Sequence, residues 1–263
     1  MGEQVLPDSK YFQYFSHLYH GGNLIEWEKY NPLPDWDYPE VDKVRFTKLF
    51  LNKPAYIKDQ HIVDLGCHNG FLSFICQHLG AKSTIGVNVR QTPLDVGNYA
   101  FNQLEQKNFS FVLGDVENQK FLLETCKNKD TVIFTGLCEY LKNPYLTFET
   151  LTMSDVKHLI FDTNCLDVPD AIIRYEHRKT SGNFGAYNRN NDVTIATQVS
   201  APWIEMILYY FGWKIEYYDL SKVFNKNWFA VPNLTEYTPR VSNTLTILAT
   251  KFEKDTNKQG YEF

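Results

Sequence analysis

The sequence lacks several features that would assign it to a specialised class of protein. No apolar run approaches the roughly 20 residues of a transmembrane helix, and the N-terminus has acidic and aromatic residues in place of a signal peptide's charged start and apolar stretch. The five cysteines form no Cys-x-x-Cys pair, and the seven histidines show no metal-ligand spacing. These absences disfavour a membrane span, a disulfide scaffold and a metal centre, and they favour a cytoplasmic protein with reduced thiols.

A basic excess is also missing. The chain has 26 Lys and Arg against 31 Asp and Glu, which gives a net charge of −5 and a pI of about 5.8. Because proteins that bind nucleic acids usually carry a basic face, this balance disfavours a nucleic-acid partner. Hydrophobic residues make up 43% of the 263 residues and aromatic residues 16%. This composition favours one domain with a sizeable core and a pocket lined by rings.

The most informative stretch is an apolar run that ends in an acid and leads into a glycine turn. The run from Ile62 to Leu65 predicts a buried parallel strand. Gly66 and Gly70 bracket a tight turn in which a side chain would block the approach of a ligand. A helix predicted from Phe71 to Leu79 directs its free N–H groups at this turn. The pattern favours a nucleotide-like ligand bound against the backbone, with a purely structural corner as the alternative.

Polar residues follow the next two predicted strands. The strand from Lys82 to Asn88 ends about 20 residues after the first glycine, where nucleotide-binding folds place an acid that binds the ribose hydroxyls. Asn88 retains a carbonyl acceptor without the charge, and the nearby Arg90 leaves open a site for the 2′-phosphate of NADP. The third strand ends in Gly-Asp-Val-Glu and places Asp115 and Val116 at the same edge.

Strand and helix patterns alternate from residue 61 to residue 162, which predicts a parallel sheet. A helix is expected between the cap at Ser200 and the stop at Gly212. Two final strands, Trp213 to Tyr218 and Ser242 to Phe252, follow without a helical pattern between them. We therefore expect an antiparallel hairpin at the edge of the sheet.

We expect residues 1–263 to form a single domain. Residues 1–55 are expected to form an aromatic helical cap, which includes an amphipathic helix from Tyr11 to Tyr19. Residues 163–198 lack clear periodicity and are rich in Asn, Gly and charge. Because a stretch of that length is usually functional or mobile, we expect a substrate-binding or lid insertion.

The turn after the first strand resembles motif I of the class I S-adenosylmethionine-dependent methyltransferases. The common form of that motif is Asp-x-Gly-x-Gly-x-Gly, and His68 replaces its middle glycine here. In that family an acid like Asp115 accepts the adenine amino group, and the next backbone N–H, here that of Val116, contacts the ring. Residues 130–144 resemble the family's Gly-Val-Leu-Tyr-His-Leu-x-Asn-Pro segment, with Tyr140 in the position of the histidine.

Within this superfamily, the sequence is most similar to a group that includes the wobble-uridine tRNA methyl and carboxymethyl transferases. The shared features are the Gly-Cys-x-x-Gly-Phe-x-Ser-Phe form of residues 66–74, the Gly-Ala-Lys of residues 80–82 and an Asn-Pro after the fourth strand. Many relatives act on sugars or small metabolites, and the acidic balance favours such acceptors over tRNA.

The resemblance implies a Rossmann-like α/β fold, with a seven-stranded, mostly parallel sheet, an antiparallel last strand and helices on both faces. It also implies S-adenosyl-L-methionine (SAM) as the cofactor. The residues expected to bind SAM are Asp64, Gly66, Cys67, His68, Asn69, Gly70, Asn88, Val89, Asp115, Val116 and Thr135.

The implied reaction is in-line methyl transfer to an oxygen or nitrogen of a small-molecule or sugar-like acceptor. A hydroxyl acceptor needs a general base, and an amine needs one less. Because the carboxyl ends of parallel strands line the ligand crevice, Glu139, Tyr140 and Asp162 are catalytic candidates. His177 is a fourth candidate because histidine titrates near neutrality. Capping, packing on the cofactor and turn formation are structural alternatives for the first three.

The candidate acceptor-binding residues are Arg174, Arg178, Tyr187 and Tyr14. Arginines indicate a carboxylate or phosphate on the acceptor, and aromatic rings indicate a flat or sugar-like part. A solvated loop is the alternative interpretation of this cluster. A tRNA-modifying enzyme, a non-catalytic adenosyl-ligand-binding protein and an NADP-dependent oxidoreductase stay open as alternative functions, and the sequence does not predict the oligomeric state.

Overall fold

The computed structural model describes residues 49–50, 53–179, 193–217 and 244–252, without the side chains of residues 178, 179, 193, 194, 217 and 244. Nine strands lie in these ranges: β1 (His61–Leu65), β2 (Ser83–Asn88), β3 (Phe109–Leu113), β4 (Thr131–Thr135), β5 (His158–Leu166), β6 (Ile173–Lys179), β7 (Val193–Ser200), β8 (Trp213–Tyr217) and β9 (Thr244–Lys251). The helices are α1 (Phe71–His78), α2 (Gln91–Gln103), α3 (Gln119–Thr125), α4 (Pro144–Met153) and α5 (Ala201–Tyr210), with short 3-10 turns at Pro54–Tyr56 and Cys138–Tyr140.

Seven of these strands form the body of the sheet, in the order β3-β2-β1-β4-β5-β9-β8. Strands β1 to β5 are parallel to one another, because a helix crosses over between each consecutive pair. Strand β9 is antiparallel to both of its neighbours, β5 and β8. The predicted mostly parallel sheet with an antiparallel last strand is confirmed, as is the hairpin of the two final strands.

Helices cover both faces of the sheet. On one face, Val63 and Phe134 pack against residues of α3, α4 and α5. On the other face, Ile62 and Ile133 pack against α1 and α2. Since successive side chains of a strand point to opposite faces, a strand buried on both sides reads as a continuous apolar run. This explains why the strands of the sheet body could be recognised from sequence.

The region between Thr163 and Ser200 differs from the sequence-based expectation. Strand β5 continues to Leu166, and β6 and β7 pair antiparallel from Ile173↔Val199 to Lys179↔Val193. Strand β7 is also parallel to the end of β5, through Cys165↔Val199. Two strands therefore lie in a segment where the sequence showed no clear periodicity, and its expected role as a substrate-binding or lid insertion stays a prediction. Strand β6 shows no apolar alternation because it lies at the sheet edge with most of its side chains exposed.

Three further expectations concern the N-terminal cap, a membrane span and the helix cap at Ser200. The helix predicted from Tyr11 to Tyr19 and most of the aromatic cap lie outside the described residues, although Leu49 and Phe50 are helical and fully buried. In the described ranges, no helix is long and apolar enough to cross a membrane. The predicted cap at Ser200 is confirmed, since its hydroxyl accepts a hydrogen bond from the Trp203 N–H at 3.3 Å.

Candidate active site

The glycine turn joins β1 to α1 and is fastened to the end of β2. Gly66 and Gly70 have φ angles of +72° and +82°, which glycine adopts without strain. The Gly70 N–H donates to the Cys67 carbonyl at 2.8 Å, and the Cys67 N–H donates to the Val87 carbonyl at 2.9 Å. A Cβ atom on Gly66 would lie 3.0 Å from Leu137, in the loop after β4. The tight strand-to-helix turn that the sequence predicts is therefore present.

The ring of Phe111 fills the space beside Gly70, Gly86 and Gly97. A Cβ atom on Gly70 would lie 2.3 Å from Cζ of Phe111, and one on Gly86 would lie 2.5 Å from Cδ1 of that ring. Gly97, in α2, meets the same ring at 2.9 Å. The sequence-based reason for Gly70, a clear path for a ligand, is therefore wrong. Packing of Phe111 requires a glycine there.

Asp64 is buried at the end of β1 and is bound to α1. Its Oδ2 accepts hydrogen bonds from the Ser73 hydroxyl at 2.8 Å and from the Ser73 N–H at 3.2 Å. Burial raises the pKa of this carboxyl to about 6, although the bonds from Ser73 act in the opposite direction. Asp64 is 1% exposed, so these contacts give it a structural role, and its expected contact with SAM stays a prediction.

Within the glycine turn, Cys67 and Asn69 are buried and His68 is half-buried. Burial raises the pKa of the Cys67 thiol, with a further contribution from Asp64, so this thiol stays protonated. His68 has a φ angle of +52°, and burial lowers the pKa of its imidazole to about 4, with the nearby charge of Arg90 adding to the effect. A hydrogen bond with Asn69 opposes this lowering. His68 is therefore neutral at physiological pH.

Asn88 ends β2 at the position expected for the ribose-binding residue. Its Oδ1 accepts a hydrogen bond from the Arg90 N–H at 3.0 Å. The side chain thus closes the turn that leads into α2. Val89, another expected cofactor contact, is half-buried in this turn. The amide of Asn88 lies at the carboxyl edge of the sheet, where parallel strands place their ligand-binding residues.

Asp115 and Val116 follow β3 and have different surroundings. One carboxylate oxygen of Asp115 accepts from the Glu117 N–H at 3.0 Å. Val116 is 4% exposed, and its side chain belongs to the core. The expected role of Val116 needs only its backbone N–H, and that role stays a prediction.

The carboxyl end of β4 lies beside Asp162 of β5. Thr135 and Asp162 are register partners, and the Gly136 N–H donates to the Asp162 carbonyl at 2.9 Å. The Asp162 side chain is 5% exposed and accepts a hydrogen bond from the Thr246 hydroxyl. Gly136 is exposed, and a Cβ atom added to it would meet nothing within 4 Å. Open space therefore borders this end of the strand.

The segment Cys138–Leu141, which follows β4, carries two of the catalytic candidates. The Glu139 carboxylate accepts a hydrogen bond from the Asn164 amide at 3.1 Å. Tyr140 is half-buried and lies close to Arg90. Burial lowers the pKa of the Arg90 guanidinium, and the Tyr140 phenol acts in the opposite direction. Glu139 and Tyr140 are thus placed at the edge where the sequence-based argument expected them.

The β6–β7 hairpin is fastened to the same segment by Thr197. The Thr197 hydroxyl lies 3.1 Å from the Cys138 carbonyl and 3.0 Å from the Leu141 carbonyl, and it donates to them from a fully buried position. His177 lies on this hairpin and is exposed. The hairpin therefore brings His177 into the same region as the loop after β4.

Arg174, one of the expected acceptor-binding arginines, points away from that region. Arg174 is the register partner of Gln198 and donates a hydrogen bond to its side-chain oxygen. Because successive residues of a strand alternate between its faces, Arg174 lies on the opposite face from His177. Arg174 therefore does not share a face with His177, and its expected contact with the acceptor stays a prediction. The side chain of Arg178, and the whole of Tyr14 and Tyr187, lie outside the described residues.

Sequence analysis did not single out four residues that shape this region. Phe111 fills the glycine positions, Leu137 covers Gly66, Asn164 positions Glu139, and Thr197 anchors the hairpin. The β-branched residues between 193 and 199 were a signal for a strand, and that strand would have revealed Thr197. The other three contacts are long-range and leave no local pattern.

No protein-family model matches the sequence, and no curated protein is significantly similar to it. The structure resembles the N-terminal domain of EvdMO1 with SAH bound, with a TM-score of 0.60 and 12% identity over 96% of this chain and 100% of that chain. A structure of that domain in the presence of SAH and D-fucose is also similar. A SAM-dependent methyltransferase from Mesorhizobium loti matches with a TM-score of 0.58 and 16% identity, over 79% and 98% of the two chains.

The chain has a class I methyltransferase fold. At identities of 12% and 16% the likeness concerns the fold, and it does not by itself assign an activity. The [4+2]-cyclase SpnF illustrates this point, since it matches with a TM-score of 0.54 and 12% identity, over 92% and 94% of the two chains.

Features of this chain fit an S-adenosyl cofactor at the carboxyl edge of the methyltransferase fold. The Asn69 side chain is 2% exposed, and its amide nitrogen has no hydrogen-bond acceptor in the part of the chain that the structure describes. A buried donor without an acceptor is costly unless a ligand supplies one. Asn88 and Asp115 add polar side chains to this edge, and Gly136 leaves open space next to it.

Proposed function

We propose that this protein is a SAM-dependent methyltransferase that acts on a small-molecule or sugar-like acceptor with a hydroxyl or amine group. The observation that carries the proposal is the carboxyl edge of the sheet. There, Asn88 and Asp115 place polar side chains after β2 and β3, the buried Asn69 amide nitrogen lacks an acceptor among the described residues, and Gly136 borders open space beyond β4. Adenosine recognition along the first strands and chemistry beside the fourth would use both parts of this edge.

The acceptor class is supported by the charges near β4 and β5. Asp162 and Glu139 are both held there, by Thr246 and Asn164 respectively. Carboxylates accept hydrogen bonds from hydroxyl or ammonium groups and repel anions. A separate support for a sugar-like acceptor is the fold analogy with the domain crystallised in the presence of SAH and D-fucose.

The residues of this chain would orient the acceptor, exclude water and remove a proton. When bound, SAM supplies a methyl group that its sulfonium already makes electrophilic, so alignment is the main requirement. For a hydroxyl acceptor, Asp162 is the first candidate base. Its carboxylate is fixed by Thr246 beside the end of β4, and it lies next to the open space at Gly136. Tyr140 and Glu139 are the further candidates.

Calorimetric titration with SAH tests the cofactor site. We expect the wild-type chain to bind SAH, and Gly66→Val to abolish binding, because valine at φ +72° would distort the turn. Gly80→Val is the matched control. Gly80 has a φ angle of +93° and its nearest neighbour, Lys58, would be 3.6 Å from a Cβ atom, at the opposite end of α1. Unchanged SAH binding in Gly66→Val would overturn the site.

Transfer of a labelled methyl group to a panel of sugars, amines and tRNA tests the activity. The proposed function predicts SAM-dependent labelling of a small molecule that is lost in Asp162→Asn while SAH affinity is retained. Tight SAH binding without labelling of any acceptor would instead favour a non-catalytic binding protein. Labelling of tRNA alone would favour the wobble-uridine likeness, and binding of NADP without SAH would favour an oxidoreductase.

A further inference from the structure

The two faces of the β6–β7 hairpin have different chemistry. Directly opposite residues of an antiparallel pair share a face, and the pairs Tyr175↔Thr197 and His177↔Ile195 lie on one face. The pair Arg174↔Gln198 lies on the other face, where the arginine is bound to the glutamine. One face is therefore aromatic, with Lys179 at the end of the strand, and the other carries the polar pair.

The aromatic face is the one directed at the loop after β4. Thr197 determines this orientation, because its hydroxyl donates to the carbonyls of Cys138 and Leu141. Tyr175 is directly opposite Thr197, which places the two Cβ atoms about 5 Å apart. Tyr175 is thus the direct cross-strand neighbour of the residue that contacts the segment carrying Glu139 and Tyr140.

Tyr175 and Ile195 expose much of their apolar surface at this position. Tyr175 is 59% exposed and Ile195 is 47% exposed, whereas Thr197 is fully buried under them. An aromatic ring beside a set of hydrogen-bonding residues is a common arrangement in ligand sites, where the ring provides contact area and the polar groups provide specificity. The polar groups here are His177 on the same face and Glu139 on the loop.

We propose that the face formed by Tyr175, His177 and Ile195 is the acceptor-binding wall, and that it takes an uncharged acceptor with a flat or sugar-like part. This inference rests on the proposed function and deepens it, since it names the recognition surface and the charge of the acceptor. The ring of Tyr175 packs against the flat part of the acceptor, and the hydroxyl or amine group of the acceptor points at Glu139 and Asp162. Arg174 takes no part, because its face is turned away.

Competition between two aromatic probes tests this inference on the full chain saturated with SAH. p-Nitrophenyl β-D-glucopyranoside has a flat ring and hydroxyl groups without charge, and p-nitrophenyl phosphate has the same ring with an anionic group. We expect the wild-type complex to bind the glucoside more tightly. Tyr175→Ala should weaken glucoside binding about five-fold, the scale of one aromatic contact, and Tyr175→Phe should preserve it.

Arg174→Ala is the matched control, on the same strand and with an exposed side chain on the opposite face. We expect it to leave the binding of both probes unchanged, and we expect all variants to bind SAH like the wild type. A preference for the phosphate probe that is lost in Arg174→Ala would overturn the inference in favour of an anionic acceptor. Equal effects of Tyr175→Ala and Arg174→Ala, or no glucoside binding to the wild type, would also overturn it.

The readout with SAH separates this inference from the proposed function. If SAH does not bind to the wild type, the proposed function fails before the hairpin is tested. If SAH binds and the glucoside result is negative, only the acceptor-binding wall fails. A loss of SAH affinity in Tyr175→Ala would place the hairpin at the cofactor site and would also overturn the inference.

Discussion

The two halves of the carboxyl edge differ in how closely the chain packs against itself. Along β1 to β3, Asp64 is bound by Ser73, Asn88 by the Arg90 N–H, and the ring of Phe111 fills the glycine positions. Beyond β4, a Cβ atom on Gly136 would meet open space, and Tyr175 on the nearby hairpin is exposed. The first half is closely packed, with the Asn69 amide nitrogen left for a ligand to bind, and the second half has room for a ligand.

This difference fits a division of labour between a constant and a variable ligand. A site for one fixed ligand gains affinity from preorganisation, because less conformational freedom is lost on binding. A site whose walls come from an edge hairpin can change in shape without disturbing the sheet. Substitutions along β1 to β3 should therefore affect stability and SAH binding, and substitutions beyond β4 should affect the binding of the acceptor.

The largest expected effect is that of adding one methyl group to the closely packed half along β1 to β3. Gly86→Ala would place its Cβ 2.5 Å from Phe111 and 2.8 Å from the Cys67 sulfur, so we expect a loss of about 3 kcal/mol in the free energy of unfolding. Gly136→Ala meets no atom and should lose only about 1 kcal/mol, from its φ angle of +58°. Urea unfolding measures both values, and equal losses would contradict the contrast.

The next effect concerns the pH dependence of stability. The folded state raises the pKa of Asp64 from 3.8 to about 6, so it binds more protons than the unfolded state between these values, and this contribution to stability is lost as the pH rises through about 6. Asp64→Asn removes the titration and keeps an acceptor for Ser73. Relative to the wild type, the variant should gain up to about 3 kcal/mol between pH 4 and pH 6, measured by urea unfolding.

His68 provides the control of opposite sign. Its pKa is lowered in the folded state from 6.5 to about 4, so the unfolded state binds more protons in this range, and stability is lost as the pH falls. His68→Asn tolerates the positive φ angle and should gain stability over the wild type as the pH falls from 6.5 to 4. A variant difference that does not change with pH would refute the corresponding assignment.

A smaller effect is expected from Asn88→Asp. One oxygen of aspartate can still accept from the Arg90 N–H, and the other gains a charge for the ribose hydroxyls. We expect SAH to bind about five-fold more tightly, which corresponds to about 1 kcal/mol in calorimetry. Weaker binding would mean that the Asn88 amide donates a hydrogen bond to the ligand, and Asn88→Ala separates this case because it removes donor and acceptor together.

The smallest effect is expected from Thr197→Val, which removes one hydroxyl at nearly constant volume. The hydrogen bond to the carbonyls of Cys138 and Leu141 contributes on the order of 1 kcal/mol or less. If the hairpin is an acceptor wall, this variant should weaken acceptor binding and leave SAH affinity unchanged. Equal weakening of both ligands would remove the distinction between the two halves.

The body of the sheet could be predicted because its information is local. The apolar run at Ile62 to Leu65, the glycines of the following turn and the Ser200 cap each specify one element from a few neighbouring residues. Strands buried on both faces are continuously apolar, which distinguishes them from loops. Position at the end of a strand then placed Asn88, Asp115 and Thr135 at one edge.

The direction of individual side chains could not be predicted in the same way. Asp64 precedes the turn like a ligand-binding acid, yet it is turned toward Ser73 nine residues later. Arg174 and His177 are neighbours in sequence, and only the register of β6 with β7 shows that they lie on opposite faces. Because β6 is an exposed edge strand, no apolar pattern revealed its register.

The ring of Phe111 also has a consequence for how this sequence can change over time. Gly70, Gly86 and Gly97 come from a turn, a strand and a helix, and all three face one side chain, although a Cβ atom on Gly97 would also lie 2.7 Å from the Asn69 carbonyl oxygen. In sequences that share this fold, a smaller residue at position 111 should be accompanied by alanine at position 86, where side-chain atoms alone fill the space. Positions 86 and 111 should therefore vary together, and a survey of relatives or a combinatorial library at these positions would reveal that linkage.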